Sequence, residues 1–243
     1  MPIALPSSRS ACTYLVTMLG CLGCAQSSNA GSAESGSAPS VTQQDAGWRP
    51  LFDGQTTNGW REFRKPGIRD GWRVVDGALT RVAEGGDIIT TDQFTNFELA
   101  LEWKVAPGGN SGIFYRVSEE GQSVWETGPE MQILDDERHA DGKSRLTSAG
   151  SNYALYGAPA GLVKPAGEWN AARLLVNGNH VEQWLNGTKV VEFELGSADW
   201  EEKVRASKFA ALPRYGRERS GHIALQDHGD WVAFREIRIR VLP

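Results

Sequence analysis

Apolar and polar residues alternate in this chain with a period of two, and the alternating runs are closed by Asn-Gly turns. Phe97, Leu99, Leu101 and Trp103 are apolar at every second position, with Glu98, Ala100, Glu102 and Lys104 between them. Successive side chains of a strand point to opposite faces, so this run is a strand with one apolar face. Pro107-Gly108-Gly109-Asn110 reads as the following turn, after which residues 113–117 run back. Residues 173–176, 180–185 and 189–194 are further strands, joined through Asn177-Gly178-Asn179 and Asn186-Gly187. Asn-Gly between β runs marks a hairpin, because both central residues of a type I′ turn need positive φ. Asn186-Gly187-Thr188 is also a glycosylation sequon, but in a chain that reads as bacterial the turn takes precedence. Ile223/Leu225 and Ile237/Ile239/Val241 supply two terminal strands. One helix is expected over residues 198–209, with Ser197 or Asp199 as cap and Glu201 and Glu202 in its first turn. Short strands with regular turns, one helix and no βαβ unit imply an all-β fold, a two-sheet antiparallel jelly-roll sandwich.

The N-terminus is of a different kind. Cys12, Cys21 and Cys24 are the only cysteines, so no disulfide, thiolate nucleophile or Cys metal cage serves the rest of the chain. Arg9 followed by the apolar residues 11–23 reads as an export signal, too short to span a membrane comfortably. Its Leu22-Gly23-Cys24 and Gly20-Cys21 are similar to the lipobox of bacterial lipoproteins. A lipid anchor at Cys21 or Cys24 is the first reading and a simply cleaved signal the second. Both place the protein outside the cytoplasm, in the periplasm or on the outer membrane. Residues 1–24 are therefore taken as the signal and residues 25–47, rich in Ser, Ala and Gly, as a flexible linker. Residues 48–243 form the single globular domain and contain all nine tryptophans.

A net charge of −5 and the lack of any basic run argue against a nucleic-acid partner. Polar side chains that project from a sheet face are the better guide to function. Four segments carry them: the strand with Glu98 and Glu102, the run from Asn110 to Arg116, the run from Glu130 to Asp135, and the run from His222 to Asp230. In the second, Ile113, Tyr115 and Val117 share one face and Phe114 and Arg116 the other. In the third, Met131 and Ile133 turn inward, so Glu130 and Gln132 face outward about 6.8 Å apart. In the fourth, Gln226 faces outward, followed by Asp227 and His228. Carboxylate, amide, guanidinium and imidazole groups on one face suit a sugar, because each bonds directionally to hydroxyls. The plain alternatives are a surface ion pair between Glu102 and Arg116, a solvated face at Glu130/Gln132 and a turn role for His228. The acidic loop 135–141 offers oxygen ligands to a divalent cation such as Ca²⁺, but its spacing matches no metal motif. It is taken as a solvated loop, and no cofactor is expected.

The order of the segments carries a resemblance. Leu51-Phe52-Asp53-Gly54, Trp72-Arg73-Val74-Val75-Asp76-Gly77, Gly109-Asn110-Ser111-Gly112-Ile113, Glu130-Met131-Gln132-Ile133-Leu134-Asp135, Tyr153-Ala154-Leu155-Tyr156, Leu225-Gln226-Asp227-His228-Gly229 and Phe234-Arg235-Glu236-Ile237 follow one another across the domain. Together they resemble the 3-keto-disaccharide hydrolase domain family, which has the concanavalin A-like lectin/glucanase fold. Ala149-Gly150-Ser151-Asn152 departs from the small-residue pattern usual there. The resemblance implies an enzyme acting on sugars already oxidised at C3, supplied by a sugar 3-oxidoreductase. A C3 carbonyl acidifies the C2 proton, so a base removes it and the C1 substituent leaves. On residue type and facing, His228 and Glu130 are the candidates for the catalytic base. Arg116, Gln132, Asn110, Glu102, Gln226 and Asp227 are the candidates for binding substrate. The rival readings are a non-catalytic sugar-binding module and a laminarinase-type glucanase. The latter needs two carboxylates on one face, and Glu130 and Asp135 stand at odd spacing.

Overall fold

A computed structural model describes residues 47–243. The export signal, the cysteines and all but the last residue of the linker lie outside the described residues. The strands are β1 (Trp48–Pro50), β2 (Trp60–Glu62), β3 (Trp72–Val75), β4 (Ala78–Arg81), β5 (Ile88–Thr90), β6 (Phe97–Val105) and β7 (Asn110–Val117). They continue with β8 (Glu130–Leu134), β9 (Asn170–Asn177), β10 (His180–Leu185), β11 (Thr188–Glu194), β12 (His222–Leu225) and β13 (Val232–Val241), with one helix, α1 (Ala198–Ala206), between β11 and β12. They form two antiparallel sheets, a jelly-roll sandwich. The eight-stranded sheet runs β11-β10-β9-β6-β13-β4-β3, with β1 also on β13, and the five-stranded sheet runs β2-β5-β12-β7-β8.

The alternation in β6 behaves as its pattern requires: Phe97, Leu99, Leu101, Trp103 and Val105 are all buried. Ile113, Tyr115, Met131, Ile133, Ile223 and Leu225 of the five-stranded sheet belong to the same apolar core. Burial of this kind is the main force holding two sheets face to face. Of the two hairpin turns, Asn186-Gly187 has positive φ at both residues (49° and 84°), as type I′ demands. The β9–β10 turn instead has positive φ only at Gly178, at 61°.

Three expectations are corrected. First, β6 and β7 do not form a hairpin. β6 pairs with β9 and β13, whereas β7 pairs with β8 and β12, so the Pro107–Gly109 segment carries the chain from one sheet to the other. Both strands have an apolar face, and burying the two faces against each other across the sandwich satisfies both. Second, Val117 does not share a face with Ile113 and Tyr115. A bulge against β12, with Arg116 at φ 51°, turns Val117 to the outer face beside Phe114, Ile89, Val124 and Ala224. Third, α1 ends at Ala206 rather than at residue 209. Its cap is Ser197, whose hydroxyl accepts from the Trp200 N–H. Ser207 is extended, its hydroxyl accepting from the Phe209 N–H, and Phe209 stacks on Tyr215 with ring centroids 4.0 Å apart.

Candidate active site

The outer face of the five-stranded sheet carries a cavity of about 480 Å³, within the usual range for small-ligand sites. Its floor follows from strand register. Gly112 stands opposite Gln132 and Phe114 opposite Glu130, so Asn110, Glu130 and Gln132 share one face. Gln226 joins them beyond the end of β12, its N–H bonded to the Gly112 carbonyl. Gly112 is needed for its missing side chain: a Cβ there would lie 2.2 Å from Glu130 Oε1. The glutamate therefore folds its carboxyl into the space a side chain would fill.

Glu130 is 7% exposed, and its carboxylate accepts no hydrogen bond among the described residues. Burial pushes its pKa up to about 8; Lys208 pulls it down, and Asp87 and Asp141 push it further up. Part of the dry surroundings is the outer-face cluster of Ile89, Phe114, Val117, Val124 and Ala224. Two further polar groups at the cavity are unsatisfied: Asn110 Oδ1 and Gln226 Oε1 are buried without a partner. Buried acceptors normally have donors, and these two line the cavity with acceptor capacity to offer a ligand.

Gln132 is partly committed, donating to the Thr147 carbonyl at 3.3 Å and accepting from the Ile133 N–H at 3.2 Å. His228 lies exposed at the rim, with His139 edge-on to it at 6.5 Å between centroids. His139 Nδ1 accepts from the Asp141 N–H at 3.1 Å, so in the neutral ring Nε2 carries the proton. Tyr153 donates its hydroxyl to Asp141 Oδ2 at 3.1 Å. Burial, then the Asp141 charge, pushes the Tyr153 phenol up to about 12. Lys208 Nζ sits 4.1 Å from the Tyr153 ring centroid and has no ion-pair partner among the described residues. Trp125 completes the rim.

The structure thus gathers Glu130, Gln132, Asn110, Gln226 and His228 around one cavity and places three other candidates elsewhere. Glu102 belongs to the eight-stranded sheet, in a separate concavity of about 350 Å³, and accepts from Arg235 Nε at 2.7 Å. The expected Glu102–Arg116 pair does not form, because β6 and β7 lie in different sheets. Glu98 of the same strand is held by Arg173 and Arg240. Arg116 is swung off the binding face by the bulge and is 4% exposed. It donates to the carbonyls of Thr95, at 3.1 and 2.7 Å, and Gly178, at 2.8 Å. Asp227 is a structural clamp, accepting from Arg81 Nε at 2.6 Å and from the N–H groups of Gly85 and Gly86 at 2.8 and 2.9 Å. Burial works against its charge, but the Gly85, Gly229 and Arg81 hydrogen bonds outweigh that and hold its pKa below the ordinary value. Asp135 likewise serves structure, accepting from the N–H groups of Gly108 and Glu137 and from Arg138, so it makes no carboxylate pair with Glu130.

The sequence reading missed Trp125, His139, Asp141, Tyr153, Lys208 and Asp87. Asp87 accepts from the Asp227 N–H at 2.9 Å, and burial raises its pKa to about 6. The 135–141 loop, taken as solvated, is pinned instead, with Asp136 Oδ1 accepting from the Ala149 N–H at 2.8 Å. Among the described residues, one group of three possible metal ligands comes together, His180, Glu182 and Glu192, far from this face on β10 and β11. Lys189 already supplies its positive charge, 3.2 Å from Glu182 and 2.5 Å from Glu192.

Comparison with known proteins agrees with this architecture. The model of the 3-keto-alpha-glucoside-1,2-lyase-like domain matches residues 47–240. A 3-keto-disaccharide hydrolase of Bacteroides thetaiotaomicron is 37% identical over 228 residues, spanning 81% of this chain and 79% of that protein. Two solved structures from Parabacteroides distasonis, assigned as glycosyl hydrolases, have TM-scores of 0.77 and 0.64 at 34% and 31% identity. They cover 85% and 80% of this chain and 99% of each of theirs. A Bacillus subtilis protein with a galectin-like fold, 13% identical with a TM-score of 0.50, shares the fold alone; the match covers 79% of this chain and 94% of that one. Matched by the family's model and by relatives across most of its length, the chain belongs to the 3-keto-alpha-glucoside-1,2-lyase-like domain family.

Proposed function

We propose that this protein is an exported enzyme that cleaves the glycosidic bond of 3-keto glycosides, including 3-keto disaccharides, by removing the C2 proton. The observation that carries the reading is Glu130, a buried and unpartnered carboxyl raised to about 8 on the floor of a polar cavity. Once ionised, a carboxyl raised by desolvation is a stronger base toward the C2–H beside a ketone than an ordinary carboxylate. The family membership and the Bacteroides thetaiotaomicron relative support the substrate class. The apolar N-terminal run ending at Cys24 supports export, by lipid anchor or by simple cleavage.

In this scheme the ionised form of Glu130, which grows in as pH approaches 8, takes the C2 proton, and the C2–H electron pair moves toward C3 to leave an enolate oxygen. Lys208 is the cation available to that oxygen, the role for which the sequence suggested Arg116. Asn110 Oδ1 and Gln226 Oε1 accept from ring hydroxyls and hold the sugar. The enolate then collapses, the C1–O bond breaks, and a rim histidine, His228 or His139, gives a proton to the departing oxygen. The products are an alcohol and a 3-keto sugar with a C1–C2 double bond. Water added across that bond puts hydroxyl on C1 and hydrogen on C2, so the net reaction is hydrolysis. Each proton has a side chain to carry it, and the scheme calls on no cofactor. An oxidoreductase acting at C3 must supply the substrate.

The test is to incubate the protein in D₂O with a 3-keto disaccharide and with its unoxidised parent, following both by NMR. Release from the keto compound alone, with deuterium at C2 of the product, is expected. Release from both compounds would indicate an ordinary glycosidase. Binding without release would indicate a sugar-binding module.

A further inference from the structure

Tryptophans in this domain are almost all committed. Trp103 and Trp200 are buried in the core, and Trp60 and Trp72 donate their indole N–H to backbone carbonyls. The remaining indoles on the eight-stranded side each have an Arg or Lys over the ring, although Trp231 stays 37% exposed beneath its shared Lys104. Trp125 is the exception. Its side chain has no hydrogen bond, ring contact or cation over its face among the described residues, and it is 42% exposed at the cavity rim.

The backbone beneath it is held firmly. Trp125 is the middle residue of a 3₁₀ turn, Val124–Glu126. Val124 is fully buried in the outer-face apolar cluster, the Val124 carbonyl accepts from the Gly128 N–H at 3.0 Å, and Glu126 Oε2 accepts from the Gln122 N–H at 2.9 Å. An exposed indole on a fixed turn is a prepared surface, because little ordering is left to be done when a ligand packs on it.

We propose that Trp125 is the platform for the leaving-group sugar, so that the site prefers a glycoside whose aglycone is itself a pyranose. This rests on the reading of the site given above. The keto ring must bring C2 to Glu130, which is buried on the floor, so the part of the substrate that reaches the exposed rim is the other ring. A pyranose presents a face of C–H groups, and stacking it on the indole removes apolar surface of both from water. A small alkyl aglycone ends before the rim and gains nothing from Trp125.

The test compares wild-type protein, Trp125→Ala and Trp125→Phe on a 3-keto disaccharide and on the matching 3-keto methyl glycoside. For Trp125→Ala, KM for the disaccharide is expected to rise about tenfold, which corresponds to ~1.4 kcal/mol, and KM for the methyl glycoside to change less than about twofold. Trp125→Phe should recover part of the loss. An equal effect on both substrates, or none on the disaccharide, overturns the platform. If wild-type protein turns over neither compound, the underlying reading fails separately. Calorimetric titration of wild-type and Trp125→Ala with the 3-keto disaccharide then decides, and equal affinity refutes the proposal.

Discussion

Replacing Glu130 with Gln should cut turnover steeply and, at alkaline pH, make the protein more stable. The ordinary carboxyl pKa is near 4.5, and in the fold Glu130 is raised to about 8. Below the lower value both folded and unfolded chains hold the proton, and the group contributes no pH dependence. Between the two values the unfolded chain releases the proton while the folded chain keeps it, so stability falls as pH rises, by about 1.4 kcal/mol per unit. Above pH 8 the full penalty is present, on the order of 3–5 kcal/mol. The neutral amide of the Glu130→Gln variant carries no such penalty, so its advantage should be absent near pH 4.5, grow to pH 8 and then level off. Urea unfolding followed by tryptophan fluorescence at half-unit steps from pH 4.5 to 9 measures it, with turnover of a 3-keto disaccharide recorded in parallel. Loss of the base should lower kcat by roughly 10²–10⁴. Parallel stability curves with no pH dependence in their difference would refute the buried neutral acid. Full turnover by the variant would refute Glu130 as the base, whatever the stability curves show.

Three more perturbations separate the parts of the site. Lys208→Gln removes the cation that both lowers the Glu130 pKa and faces the proposed enolate; kcat should fall by about 10²-fold, and the pH–rate limb belonging to Glu130 should move to higher pH. Lys208→Arg should restore part of both in the same kinetic assay. Gly112→Ala places a methyl group where the Glu130 carboxyl lies, 2.2 Å from Oε1, so the carboxyl must leave its hole; calorimetric titration should show substrate affinity reduced at least about tenfold, and turnover should be lost with it. Glu102→Gln breaks a half-exposed pair with Arg235 on the other sheet; it should cost less than about 1 kcal/mol in urea unfolding and leave kcat/KM within about twofold.

What could be read from the chain in advance was what depends on local period. The alternation in β6, the Asn186-Gly187 turn and the Ser197 cap are each set by a few neighbouring residues, and each has the form its pattern requires. Glu130 and Gln132 were legible as a pair for the same reason: they are two residues apart on one strand. Long-range placement was not legible. Nothing near Pro107 says whether the chain returns alongside β6 or crosses to the opposite sheet, and that choice alone decided the fate of Glu102. Lys208, Tyr153 and Asp141 reach the cavity from segments with no periodicity to read. Asp227 had the composition of a site residue, yet its oxygens are taken up by Gly85, Gly86 and Arg81, more than 140 positions away in the chain.

The bulge in β7 connects these points. Strict alternation would put Arg116 on the outer face with Phe114 and send Val117 into the core. The positive φ at Arg116 reverses this, carrying the guanidinium to the Thr95 and Gly178 carbonyls and turning Val117 outward. The outer face therefore loses a permanent cation beside Phe114, the cross-strand neighbour of Glu130, and gains an apolar group in its place. An arginine there would have favoured the charged carboxylate and kept it a weak base. With Val117, Val124 and Phe114 forming the dry wall, the cation that Glu130 does feel is Lys208, exposed at the rim. The same cluster anchors the turn that carries Trp125. One inserted residue in a strand thus keeps a cation off the face that carries the carboxyl and adds an apolar neighbour to the cluster beneath the turn that carries Trp125.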